Sequence, residues 1–268
     1  MQRSELSRRT VSDFGDQWLA HPENDGYYAS ADLFFDIVSP LLGPADIRGA
    51  KVADIGSGSG RIVMMLIDAG AAFVHAVEPS AAFGVLKRNT APLADRICYH
   101  HGPAEQLPAG LELDLVVSIG VIHHIPDPKP ALQTAYAALR PGGACLLWLY
   151  GREGNEAYLA VVQPLRWLTT RLPHGLLAGL CHVLNAGLGA YAVVARRWPI
   201  PLASYMRNVI GKLDRHARYL VIYDQLNPAY AKYYRESEVR DLMSEAGFAE
   251  IRLHHRHSYS WTAIGKKL

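Results

Sequence analysis

The run Lys51-Val52-Ala53-Asp54-Ile55 passes directly into Gly56-Ser57-Gly58-Ser59-Gly60, and this junction constrains the fold more than any other feature of the chain. A short apolar run bounded by glycine reads as a buried strand. Glycines at alternate positions let the backbone turn sharply and let a ligand approach with no Cβ in the way. The pattern then repeats. Arg61 to Ala69 reads as a helix, Phe73 to Val77 as a second strand, Ala81 to Thr90 as a second helix, and Arg96 to His100 as a third strand. Leu113 to Ser118 is a fourth strand and Pro130 to Leu139 a helix, after which Pro141-Gly142-Gly143 makes a tight turn into a fifth strand, Ala144 to Leu149. Strands alternating with helices predict an α/β fold, a doubly wound parallel sheet covered on both faces.

The flanks differ from this centre. Residues 1 to 48 read as a helical cap, with Ser30 to Val38 apolar at helical spacing and stopped by Pro40 and Gly43-Pro44. The alternation ends at Tyr150. Residues 151–234, rich in Leu, Ala, Tyr, Arg and Pro, read as a helical lid insertion broken at Pro164, Pro173, Pro199, Pro201 and Pro228. Residues 235–268 complete the 49–150 core with one helix, Glu236 to Ala246, and two last strands, Ala249 to His254 and Tyr259 to Gly265.

Composition excludes several classes. Half the residues are hydrophobic and 19% charged, which suits a globular chain. A net charge of +2 with acids and bases interspersed lacks the basic stripe of a phosphate-backbone binder, so no nucleic-acid partner is expected. Cys98, Cys145 and Cys181 are odd in number and widely spaced, which suits neither disulfides nor zinc. Buried thiols and no metal are expected, in a reducing, cytoplasmic setting. The N-terminal Met1 to Thr10 is polar and lacks the apolar centre of a signal peptide. One stretch complicates this. From 175 to 195 there is no formal charge, and Arg196-Arg197-Trp198 follows at once. Its length would span a bilayer, but four glycines, His182 and Asn185 favour a buried or lipid-facing lid segment. Peripheral membrane contact through 175–195 is therefore a second expectation for location.

The glycine loop departs from the dinucleotide fingerprint, which demands glycine at position 61, where Arg61 stands. A sulfonium amino acid brings no pyrophosphate but does bring an ammonium, which backbone carbonyls and an acid such as Asp54 can receive. Glu78, eighteen residues after Gly60 at the end of the second strand, can accept from both ribose hydroxyls. With Val52 to Gly60, Glu78, His101 to Pro108, Asp114 to Asp127 and Leu139 to Gly143, residues 50–150 resemble the class I S-adenosylmethionine-dependent methyltransferases, particularly the small-molecule branch. The resemblance implies a seven-stranded sheet in the order 3-2-1-4-5-7-6 with the last strand antiparallel, and S-adenosyl-L-methionine as cofactor. It places Asp54, Gly56, Ser57, Gly58, Gly60, Glu78, Pro79, Ala104, Glu105, Ser118 and Ile119 around that cofactor. The family usually has an acid before Ala104 to accept from the adenine amino group; Pro103 replaces it here, leaving backbone around Ala104 or the Glu105 side chain.

Methyl transfer from a sulfonium has a good leaving group, so alignment and desolvation carry much of the catalysis and a base is needed only when the acceptor must lose a proton. After the fourth strand, His123 and His124 stand where the methyl group would lie, either as general base or as loop-orienting residues. The Asn/Asp-Pro-Pro-aromatic signature of amino-methylating enzymes is absent. In the insertion, Asp224 is a candidate base or substrate anchor, or a cap or turn residue before Pro228, and Tyr223 lies beside it. Tyr27 and Tyr28 either close the pocket or pack. His255 and His257, on one face of a strand, are candidates for touching the acceptor. These readings predict a methyltransferase of a small molecule. The alternatives are a hydrophobic or lipid-linked acceptor at the membrane surface, and a cofactor-binding module without catalysis.

Overall fold

The computed structural model describes residues 3–200 and 203–268, and Pro201 lies outside them. The chain forms two compact units, one comprising the residues up to Asp25, Ala29–Asn155 and Tyr230–Leu268, the other Gly26–Tyr28 and Glu156–Ala229.

The larger unit begins with α1 (Arg3–Ala20), α2 (Ala31–Val38) and the single turn α3 (Pro44–Ile47). Ser30 caps α2, its hydroxyl accepting from the Leu33 N–H, and Leu33, Phe34, Ile37 and Val38 form the buried stripe. The alternation follows as β1 (Lys51–Ile55), α4 (Arg61–Asp68), β2 (Phe73–Glu78), α5 (Phe83–Asn89), β3 (Ile97–His101), β4 (Leu113–Ile119), α6 (Lys129–Ala138) and β5 (Leu139–Tyr150). The chain enters the helical unit as α7 (Glu156–Thr169), α8 (His174–Arg197), α9 (Ala203–Asn208) and α10 (Arg215–Leu226). It returns to the larger unit as α11 (Glu236–Glu245), β6 (Ala249–Arg256) and β7 (Ser260–Lys266).

The seven strands lie in the order β3-β2-β1-β4-β5-β7-β6, with β7 antiparallel to both neighbours, as the family resemblance implies. Central strands β1 and β4 are buried over nearly their whole length, which explains why apolar residues stand at adjacent positions, Val52-Ala53 and Leu115-Val116-Val117, rather than alternating with polar ones. One core cluster joins Ala53, Val116, Leu132, Leu147, Val239 and Met243, so α6 and α11 seal the sheet on one face.

Three local expectations need correction. Pro141-Gly142-Gly143 is not a turn into a new strand but an irregularity within β5: the β4 pairing jumps from Leu113↔Leu139 to Leu115↔Ala144, with Gly142 at φ +78°. Pro164 sits inside α7 without ending it. Asp224 is neither a cap nor a turn residue but lies in the last turn of α10, whose N-cap is Asp214. Pro173, by contrast, caps α8.

Candidate functional site

Parallel strands place their carboxyl ends, and whatever follows them, along one edge of the sheet. At that edge β1 opens into the glycine loop. Gly56 stands at φ +80°, and a Cβ there would collide with Val121. Gly58 stands at φ +52°, and a Cβ there would meet the Trp18 indole nitrogen at 3.0 Å. The loop is pinned from β2: the N–H groups of Gly56 and Ser57 both donate to the Val77 carbonyl, at 2.9 and 3.0 Å. Glu78 completes the splint. Its Oε2 accepts from the Gly58 N–H at 2.7 Å and its Oε1 from the Ser80 N–H at 2.9 Å, charge-assisted bonds made by a carboxylate only 6% exposed.

Beneath the loop lies Asp54, 1% exposed on β1. Among the described residues its buried Oδ2 has no hydrogen-bond partner. Burial pushes this carboxyl up to about 7, with the Glu78 charge adding to the rise and the Ser57 hydroxyl and Arg61 opposing it. An unsatisfied buried acceptor costs about 1–3 kcal/mol, which a bound donor offsets.

The N-terminal helix α1 belongs to the same unit and lies across this loop. A Cβ on Gly15 would stand 3.1 Å from the Ser80 Cβ, and Trp18 faces Gly58. Just beyond α1, the Asn24 amide donates to the Ser59 carbonyl at 2.9 Å while its Oδ1 accepts from the Ser59 hydroxyl at 2.7 Å. Asn89 of α5 donates to both Pro22 and Ser59 carbonyls. Sequence reasoning missed Gly15, Trp18, Asn24 and Asn89. Each acts across a distance in sequence that no local pattern encodes.

After β4, Ser118 is fully buried and its hydroxyl donates to the Ile55 carbonyl at 3.2 Å, while Ile119 is buried at the strand end. A short turn, Ile122–His124, buries both histidines in aromatic surroundings. The His123 ring lies 3.8 Å from that of Tyr150 and 4.3 Å from that of His124, and Phe14 of α1 meets His124 at 4.7 Å. The His124 Nδ1 lies 2.8 Å from the Tyr230 carbonyl. A carbonyl only accepts, so Nδ1 carries a hydrogen in this contact, and proton exchange by the ring falls to Nε2. Trp148 and Tyr150 of β5 complete this box; the sequence reading made Trp148 only a strand residue and Tyr150 only the point where the alternation ends.

The remaining candidates fall as follows. Pro79 is half-buried after β2, Ala104 is buried and Glu105 exposed. His101, in register with Glu78, stacks on Phe83 at 4.4 Å. Tyr27 and Tyr28 pack on the helical unit's own cluster of Ala192, Met206, Ile210 and Ala217. In the same unit, Tyr223 is buried and Asp224 half-buried on α10. His255 and His257 do not share a strand face: β6 ends at Arg256, and His257 occupies the following turn at φ +48°. His255 stacks on Trp261 at 4.2 Å and His257 reaches Asp36 at 3.1 Å. Their strand lies three positions from β4, about 14 Å at the usual strand spacing. The sequence spacing suggested no metal set, yet the structure brings His75, Cys98 and His100 together, their donor atoms within 4.8 Å of one another. The two imidazoles are hydrogen-bonded at 3.0 Å, and burial, with His100 and Lys51 adding, lowers the His75 pKa to about 4.

The family described as "Methyltransferase domain" matches residues 53–147. A "Ubiquinone biosynthesis O-methyltransferase" of Aromatoleum aromaticum is 29% identical over 133 residues, 49% of this chain and 56% of that protein. A "tRNA U34 carboxymethyltransferase" of Chromohalobacter salexigens is 36% identical over 131 residues, 47% of this chain and 39% of that protein. The chain thus spans about half the length, or less, of these relatives. Among solved structures, a magnesium protoporphyrin IX methyltransferase from Synechocystis PCC 6803 with bound SAH superposes over 100% of both chains at TM-score 0.57 and 15% identity, a likeness of fold. Residues 53–147 carry the methyltransferase domain, and the sheet around them has the strand order of the class I S-adenosylmethionine-dependent methyltransferases. The cofactor of this methyltransferase family is S-adenosyl-L-methionine, and the residues present fit it. Asp54 offers a buried carboxylate oxygen lacking a donor, and the glycine loop is a cradle that side chains would fill.

Proposed function

We propose that the protein methylates a small-molecule acceptor, with the cofactor held between β1, β2 and β4. The observation that carries this reading is the fully buried Asp54 carboxylate, lacking a donor on Oδ2, beneath a glycine loop splinted by Glu78. Asp54 receives the amino group of the methionine moiety, and Glu78 accepts from the ribose hydroxyls while holding the Gly58 N–H. S-adenosylmethionine supplies the methyl group as an activated sulfonium substituent; this chain's residues bind, align and exclude water.

The relatives' names include both a ubiquinone-pathway O-methyltransferase and a tRNA enzyme. Charge favours the small molecule. The unit that carries the glycine loop has 19 Lys and Arg against 22 Asp and Glu, an acidic balance that opposes a polyanionic acceptor there. A hydrophobic or lipid-linked acceptor is the second reading, favoured by the large apolar side chains that the helical unit leaves exposed. The decisive test is incubation with methyl-labelled cofactor and fractionated cell extract, followed by mass identification of the labelled product. Label entering tRNA, or cofactor binding with no acceptor labelled in any fraction, would overturn the proposal.

Two further outcomes are expected. His124, oriented through Nδ1 by the Tyr230 carbonyl, is assigned the general-base role for an acceptor that must lose a proton. His124→Gln should lower kcat about 10²-fold or more and flatten the pH profile, with cofactor affinity unchanged. Unaltered kcat would make the residue an orienting one only. The second concerns Asp54. In the free protein it is protonated below about pH 7, and the ammonium favours its charged form, so cofactor binding releases a proton there. Affinity should therefore fall as pH drops from 8 to 6, by up to about tenfold per unit. For stability the sign is opposite. Between its unfolded pKa near 4 and about 7 the native state holds more protons, so the cofactor-free protein loses stability as pH rises through that window. The cofactor-induced rise in Tm should be larger at pH 8 than at pH 6, and calorimetry in buffers of different ionisation enthalpy should register the proton release. Asp54→Asn should remove both effects.

A further inference from the structure

The helical unit differs from the rest of the chain in both charge and surface. Between Glu156 and Asp214 there is no acidic residue, whereas six of the chain's 27 Lys and Arg fall there. This stretch carries +6, and the remainder carries 21 bases against 25 acids, so the charges are segregated rather than interspersed as the bulk numbers suggest. Within the same stretch lie ten of the twelve large apolar side chains found exposed among the described residues. Scattered exposed apolar residues are ordinary, but a concentration of this kind marks an interaction surface.

The helices show how the surface is built. On α8, Leu177, Cys181, Asn185, Ala192 and Ala195 are buried. Leu176, Val183 and Val194 are exposed, and spacings of seven and eleven residues put them on one outward face. That face carries no charge until Arg197, and exposed Trp198 follows; Arg196, eleven residues after Asn185, lies on the other side, its guanidinium donating to the Gly211 carbonyl at 3.4 Å. Trp167, 65% exposed on α7, adds a second indole, with the Arg171 guanidinium over its ring at 3.9 Å. Apolar residues on one face, with arginine and tryptophan at the margins, are the pattern of a helix lying in a lipid headgroup region. By length and hydropathy α8 would also cross a bilayer. Its inner side argues against crossing: the Asn185 amide donates to the Arg215 carbonyl at 2.8 Å, so α8 is fastened along α10 by a polar contact.

We propose that the helical unit docks on the surface of an anionic lipid bilayer through the outward faces of α7 and α8, with Arg171 and Arg197 meeting the headgroups. This rests on the methyltransferase reading and deepens it, because docking brings an acceptor that partitions into lipid to the enzyme. The test is flotation of the full chain with phosphatidylcholine vesicles, alone or with 30% phosphatidylglycerol, at 0.1 and 0.5 M salt. Expected is at least tenfold stronger binding to the anionic vesicles, weakened by salt and released intact by high-salt washing. The pair Arg171→Glu, Arg197→Glu, and separately Val183→Asp, should each lower vesicle binding at least tenfold with cofactor affinity unchanged. No flotation, salt-independent binding, resistance to alkaline extraction, or concentration-dependent dimerisation through the same residues would overturn the proposal. So would binding of total tRNA that the Arg171→Glu, Arg197→Glu pair removes while vesicle binding persists. Calorimetry with cofactor on the same samples separates the two levels. Intact cofactor binding without flotation sinks the docking alone, whereas loss of cofactor binding by the unmodified chain sinks the underlying reading.

Discussion

Gly58→Arg is expected to abolish cofactor binding, with affinity lowered at least 100-fold in calorimetry and the far-UV spectrum retained. The position forbids a side chain twice over. Its φ of +52° lies in the left-handed region, costing a residue with a Cβ about 1 kcal/mol or more. Its Cβ would also meet the Trp18 indole at 3.0 Å, so the arginine must either displace α1 or fill the cradle. Gly58→Ala separates the two effects: it adds the backbone strain and one methyl, and should weaken binding far less than arginine. Equal affinity of Gly58→Arg and the unmodified protein would remove the loop from the cofactor site altogether.

Glu78→Ala should lower cofactor affinity about 100-fold and also reduce Tm by several degrees. The stability loss follows from the apo geometry, because the carboxylate is the acceptor for both the Gly58 and Ser80 N–H groups, and removing it leaves two buried donors unsatisfied at about 1–3 kcal/mol each. Glu78→Gln is the sharper probe. The amide keeps one acceptor oxygen but turns an N–H₂ toward the other donor, so part of the splint survives while the ribose hydroxyls lose a charged acceptor. A Glu78→Ala protein that binds cofactor normally would refute the ribose placement, even if its Tm falls.

Much of this arrangement was legible before any coordinates, for local reasons. A buried parallel strand must be apolar along its length, and a glycine at positive φ leaves no alternative residue type without strain. Lys51 to Gly60 therefore announced both the strand and the cradle. Glu78 was readable because the acid must end the neighbouring strand, a position that counting from the loop supplies. What failed locally failed for equally physical reasons. Pro141-Gly142-Gly143 has turn composition, yet the ladder with β4 and β7 absorbs it as an irregularity. His255 and His257 would alternate onto one face only if the strand continued, and the β6–β7 turn begins between them.

The order of elements, the cradle and the acid beside it are properties of short segments, so the sequence alone determined the cofactor and the class of fold. Contacts between segments far apart in the chain belong to the tertiary structure. Only it laid Trp18 and Asn24 on the loop, boxed His123 and His124 between Phe14 and Tyr150, and joined Glu78 to the Gly58 N–H. Only it showed that the uncharged stretch of α8 turns an apolar face outward while its opposite side is fastened to α10. Hydrophobic periodicity reports that a residue is apolar, but which apolar face finds a partner is settled by packing.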